Sequence, residues 1–140
     1  MTDSSILGEL IVGRVEPRIY AFTTNTIPNY LKVGDTYRSV EVRLEEWREH
    51  FPNLKREFDD SAKIGDVFFR DYSVHAYLEG TANRPRLAKE TFPDAYYSNE
   101  FFKGALRVIL RRQLMIYAMI SKQKDSGISF IASRKGFRQV

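Results

Sequence analysis

The sequence predicts one compact domain in which strands and helices are mixed, and three observations predict it. The first is size: 140 residues, 43% of them hydrophobic, suffice for one proper core and are too few for two. The second is the stretch from Arg18 to Gly34. Residues 18–24 (RIYAFTT) are β-branched and aromatic, residues 24–29 (TNTIPN) are turn-forming, and residues 30–34 (YLKVG) alternate again, which reads as strand, loop, strand. The third is the recurrence of Val40, Leu44, Trp47 and Phe51 at helical spacing immediately afterwards.

Each element follows from local chemistry. Ser39 sits where an N-cap belongs, Glu41 places a carboxylate in the first turn, and Pro52 stops the run. Residues 54–64 (LKREFDDSAKI) form a third strand candidate with poor alternation, in which Asp59 and Asp60 read as a turn and not as a metal site. Residues 68–80 predict a helix with Phe69, Ser73, Ala76 and Leu78 on one side and Gly80 as its stop. Prolines and polar residues make 81–95 a loop, residues 96–102 (YYSNEFF) a short strand, and 105–122 the strongest helix in the chain. The segment before residue 18 and the tail after Gly127 fit no single element.

Composition removes several function classes. There are no cysteines, so neither a disulfide framework nor a zinc–thiolate site is available. No apolar run is long enough to span a bilayer, and the N-terminus lacks a basic signal-peptide start; the expectation is a cytoplasmic protein without a membrane partner. The net charge of +4 mildly favours a polyanion. Aromatic residues make up 14% of the chain, which suits a dense core or a surface that stacks bases.

Strand, strand and helix bring particular groups together. Side chains alternate along a strand, so Tyr30 and Lys32 share one side and Leu31 and Val33 the other. Gly34 lets the backbone turn closely, and Arg43 follows on the helix, with Tyr20 on the neighbouring strand. A phenol, an ammonium and a guanidinium converging on one place make a receptor for a phosphodiester. The same residues admit a plainer reading, in which Tyr20 caps the core and Arg43 pairs with Glu46 or Trp47 on a solvated helix. Spacing alone leaves both open.

The ordered set Ile19-Tyr20, Lys32-Val33-Gly34-Asp35-Thr36 and Arg43 resembles the GIY-YIG nuclease superfamily. It is similar to the phage-type branch whose second motif reads K-I/V-G-x-T. Two further signatures of that branch have counterparts: a carboxylate four residues before a histidine (Asp71 and His75), and Glu100-Phe101-Phe102. The resemblance covers residues 18–104. It implies an α+β fold, a small three-stranded antiparallel sheet flanked by helices, with residues 1–17 as an arm and 105–140 as a C-terminal helix and tail.

The resemblance also implies DNA phosphodiester hydrolysis assisted by Mg²⁺ or Mn²⁺. Tyr20 then matches the tyrosine that acts as base or positions water, Arg43 the catalytic arginine, and Asp71 the metal-binding carboxylate. Lys32, His75 and Glu100 match supporting polar positions. The chain departs from the wider pattern in having Arg18 for glycine, Lys32 for tyrosine and Asp71 for glutamate. Arg38, Arg84, Arg86 and a basic stripe of Arg107, Arg111 and Arg112 are candidate phosphate contacts, or solvated side chains. His50 near a helix end needs no role beyond the helix dipole. Residues 16–47 are also similar to modules at the front of helicase-containing restriction or defence proteins. The expectation is therefore a longer protein with a fused or partner superfamily-2 helicase. The alternatives are a degenerate module that binds nucleic acid without cutting, and a protein-interaction domain that uses the last helix.

Overall fold

The computed structural model describes residues 16–113, 115–117 and 119–120. The fold is α+β. Strands β1 (Arg18–Thr23), β2 (Tyr30–Thr36), β3 (Lys55–Ser61) and β6 (Phe101–Lys103) form a four-stranded antiparallel sheet in the order β3-β1-β2-β6. A separate two-stranded hairpin, β4 (Lys63–Ile64) and β5 (Val67–Phe68), turns at Gly65, whose φ of 61° suits a two-residue hairpin loop. The helices are α1 (Val40–Arg48), α2 (Asp71–Ala76), extended by a π-helical turn over Tyr77–Thr81, and α3 (Leu106–Leu110). Among the described residues no helix is long and apolar enough to cross a membrane.

The strand alternation expected from the sequence sorts the core into two layers. Register pairs Tyr20 with Gly34 and Phe22 with Lys32 on β1 and β2, and Lys32 with Phe101 on β6. Tyr20, Phe22 and Phe101 therefore face α1, where Val40, Leu44, Trp47 and Phe51 close over them. Ile19, Ala21, Leu31, Val33 and Phe102 face the other way, against Val74, Leu78, Ala105 and Ile109. Helix α1 begins as its sequence dictates: Ser39 Oγ accepts from Val42 N–H at 3.4 Å. Helix α2 has no cap of its own; Asp35, reaching across from β2, accepts from Asp71 N–H at 2.8 Å.

Several expectations need correction, among them the strand expected over residues 96–102, which is confined to Phe101–Lys103. The sheet has four strands, not three, because residues 101–103 pair with the outer edge of β2. Asp59 and Asp60 lie within β3, opposite Tyr20 and Ile19, where Asp59 is held by Arg18 and Arg56. Buried Val74, His75 and Leu78 set the phase of α2, while Ala76 is exposed. That element also runs past Gly80, and the left-handed residue after it is Asn83 (φ 57°), a conformation that asparagine tolerates.

The expected long helix from residue 105 breaks at Arg111 (φ −93°, ψ 58°). The reason is phase. On an uninterrupted helix Met115 would lie about 240° around from Ile109, at roughly 100° per residue. The break turns Met115 and Met119 into the core that holds Ile109. Residues 121 and 122, expected to end that helix, lie outside the described residues, as do the arm before residue 16 and the tail after Gly127.

Candidate functional site

On the α1 side, Gly34 sets the geometry. A Cβ there would come within 2.6 Å of Tyr20 Oη and 2.9 Å of Lys32 Nζ, so the phenol and the ammonium converge over a bare backbone. Both side chains are fully buried. Trp47 Nε1–H donates to Tyr20 Oη at 2.8 Å, and the Lys32 ammonium sits 4.2 Å from the Trp47 ring centre, a cation–π contact. Arg43, one-third exposed, stacks 5.1 Å over the same ring and donates to Glu46 Oε1 at 2.9 Å. These contacts are those of the plainer reading of Arg43: it pairs with Glu46 and packs on Trp47.

On the edge of β2, a second group assembles where β6 begins. Glu100 C=O accepts from Val33 N–H at 3.0 Å, just before the ladder starts at Phe101. The adjacent Val33 carbonyl is taken by His75, whose Nε2 lies 2.8 Å away. A carbonyl only accepts, so Nε2 carries a proton in this contact. Asp71, one turn earlier on α2, is fixed by the backbone bond to Asp35, which also holds Arg70 Nε at 2.7 Å. One ligand atom from each of Asp71, His75 and Glu100 lies within 4.8 Å of the others. Two carboxylates and an imidazole at this spacing could hold a divalent cation.

The two groups are joined by charge. Glu100 Oε1 lies 2.9 Å from Lys32 Nζ, close enough for an ion pair, yet the angle leaves the ammonium without an aligned hydrogen bond. Burial lowers the Lys32 pKa from its ordinary value, and the charge of Glu100 opposes that shift. Burial raises Tyr20 to about 12, against the lowering influence of Arg43, so the phenol is protonated near neutrality. Burial, and then the charge of Asp35, raises Asp71 above the usual carboxylate range. Tyr20, Lys32 and Asp71 each respond to Glu100, and Arg43 acts on Tyr20 and Lys32.

The structure therefore gathers Tyr20, Lys32, Arg43, Asp71, His75 and Glu100 at one place. Of the outer arginines, Arg38 joins the group through Glu46, which also holds Arg43. Arg38 forms a two-pronged ion pair with Glu46 at 2.7 and 2.8 Å. Arg86 binds Glu79 at 3.2 Å and covers the Phe102 ring at 4.8 Å. Arg112 turns inward to Asp60 and the Ser61 carbonyl, while Arg84, Arg107 and Arg111 are exposed. Of the expected stripe, Arg107 and Arg111 stay exposed and Arg112 is engaged by Asp60.

Sequence reasoning missed Asp35 and Trp47 as parts of the site. Trp47 carried a signal, because a buried indole N–H requires an acceptor and the helix spacing had already made it buried. The comparisons add no relative: no family model, curated protein or solved structure matches the chain.

Proposed function

We propose that this chain is a metal-dependent endonuclease domain of the GIY-YIG type acting on DNA. The observation that carries the reading is the convergence of Tyr20, Lys32 and Arg43 with the Asp71–His75–Glu100 group, from elements spread over most of the described chain. The first departure from the motif is accommodated, since Arg18 reaches outward to Asp59 at 2.7 Å. The second places Lys32 beside Glu100, where a tyrosine would bring no charge. The third, Asp71 for glutamate, keeps a carboxylate within reach of His75 and Glu100.

Asp71, Glu100 and His75 would hold the ion, and their mixed oxygen–nitrogen set suits Mn²⁺, or Mg²⁺ with water completing the shell. A bound divalent ion supplies charge stabilisation at the phosphodiester oxygens. Arg43 provides a fork of donors for a phosphate oxygen once it exchanges Glu46 for the substrate. Lys32 offsets the added negative charge at Glu100. Tyr20, protonated near neutrality, acts in this scheme by orienting water and donating its hydroxyl, and not as a base that is already ionised.

The test is cleavage of plasmid and branched DNA with Mg²⁺ or Mn²⁺. Removing a donor aimed at charge that grows in the transition state costs about a hundredfold or more in rate. Arg43→Ala should therefore cut at least that much more slowly while binding DNA almost as well. No cutting by the wild type under either metal, with DNA binding retained, would overturn the enzyme reading. A degenerate binding module that positions a helicase is the second reading. It is favoured by one observation: Lys32 and Arg43 already have carboxylate partners, Glu100 and Glu46.

A further inference from the structure

Arg38 and Arg43 start from different stretches of backbone and end on one carboxylate. Arg38 Nη1 and Nη2 donate to Glu46 Oε2 and Oε1 at 2.7 and 2.8 Å, and Arg43 Nη1 donates to the same Oε1 at 2.9 Å. Both arginines are anchored from behind. Thr36 Oγ1 accepts from the Arg38 backbone N–H at 2.9 Å. Arg43 lies on the Trp47 ring that also carries Lys32 and binds Tyr20. Glu46 raises the pKa of Arg38 and Tyr20 adds to that shift, so the second guanidinium stands in the field of the site.

Helix stability does not account for this arrangement. Arg38 precedes the N-cap of α1, and Glu46 lies in its last turn. The helix dipole favours the reverse, an anion at the start and a cation at the end. Exposed ion pairs also contribute little to folding, and the Arg38, Arg43 and Glu46 side chains are 58%, 32% and 41% exposed. Three N–H donors around the two oxygens of one anion are, however, what binds the two free oxygens of a phosphodiester. Hydrogen bonds from Arg38 and then Arg43 hold the Glu46 carboxyl below its ordinary range, so at neutrality it carries the same single charge. The two carboxylates that hold cations of the site differ in one respect. Glu100 pairs with a fully buried ammonium, whereas Glu46 stands on an exposed rim and can turn into water.

Building on the nuclease reading, we propose that Arg38 and Arg43 form one oxyanion site for a backbone phosphate, and that Glu46 is its built-in occupant, displaced when a nucleic-acid strand arrives. Arg38 is then a second phosphate-positioning residue beside Arg43. The unliganded site is held shut by its own carboxylate, so a lone phosphate competes poorly and a strand that brings further contacts competes well.

The experiment compares the wild type with Glu46→Gln, Glu45→Gln and the double variant Arg38→Ala/Glu46→Gln, without divalent metal and at constant ionic strength. Glu45→Gln changes the net charge equally and releases an arginine too, its partner Arg48 at 2.6 Å. One probe is a short DNA oligonucleotide followed by fluorescence anisotropy. The other is inorganic phosphate followed by the emission of Trp47, on which Arg43 rests. Two exposed ion pairs lost from the free protein correspond to about twofold to thirtyfold tighter binding. Glu46→Gln should show that gain with both probes and stay folded by circular dichroism. Glu45→Gln should show no comparable gain, and adding Arg38→Ala should remove most of it. Equal gains from Glu46→Gln and Glu45→Gln would reduce the effect to net charge and overturn the proposal. So would no gain, or a gain that survives Arg38→Ala; each of these leaves the nuclease reading untouched. Tighter, Arg38-dependent phosphate binding by Glu46→Gln, with no DNA binding by any of the proteins, would keep the oxyanion site and sink the nuclease reading alone.

Discussion

Trp47 Nε1–H donates to the Tyr20 hydroxyl inside the α1-side core, and burial raises that phenol from 10.0 to about 12. The sign of the linkage follows. A group whose pKa is raised by folding contributes stability that is complete below pH 10 and is lost as pH climbs through 12. Two pH units correspond to about 3 kcal/mol. Lys32, lowered by burial, has the opposite sign, and its contribution grows as pH rises toward its ordinary value. Tyr20→Phe should start about 1–3 kcal/mol less stable near neutrality, because the indole N–H loses its acceptor. Its stability should then fall less steeply than wild type above pH 10. Lys32 is common to both proteins, so the difference between their urea midpoints isolates the phenol; parallel profiles would remove the assigned shift. The residue scale is also where the sequence was most legible. Tyr20, Lys32 and Arg43 could be placed together because strand parity and helical spacing are short-range rules. The hydrogen bond from Trp47 depends on how α1 docks, which no local pattern encodes.

Helix α2 begins on a side chain borrowed from another element. Asp35 accepts from Asp71 N–H and from Arg70, so a residue of β2 both caps the helix and sets where Asp71 stands. Asp35→Ala should cost about 1–2 kcal/mol in urea unfolding, the usual cost of a lost cap. It should also weaken Mn²⁺ binding in calorimetry by letting Asp71 drift. Asp35→Asn, whose amide oxygen still accepts from the N–H, should recover part of both. A stability loss with metal binding unchanged would show that Asp71 does not depend on this cap. Element-level legibility was correspondingly mixed. The existence of β1, β2, α1, β3 and α2 could be read from propensity and periodicity. The β4–β5 hairpin was hidden because two-residue strands carry no period. The break at Arg111 was hidden because the apolar residues on both sides look like one wide helical face, and only the packing of Met115 and Met119 reveals two phases.

At the scale of the molecule, the candidate site lies where the two core layers meet. Tyr20 and Lys32 belong to the α1 layer, Asp71 and His75 to an element packed on the opposite face, and Glu100 crosses between them at the edge of β2. Neither layer alone assembles the donor set, so its geometry requires both to be packed at once. Leu78 is fully buried in the layer away from Trp47 and touches none of the site groups through a polar contact. Leu78→Ala should leave a cavity and cost about 2–5 kcal/mol. A domain this small is expected to unfold in one step. Fluorescence of Trp47, the only tryptophan, should therefore report the same shifted urea midpoint as far-UV circular dichroism, even though the cavity is in the other layer. Mn²⁺ affinity should also fall at temperatures where the variant is still folded, since the α2 layer positions two of the three candidate ligands. If Trp47 retained the wild-type midpoint while the circular dichroism midpoint moved, the layers would be separable. The site would then be built by local contacts along β2, and not by the sheet as a whole.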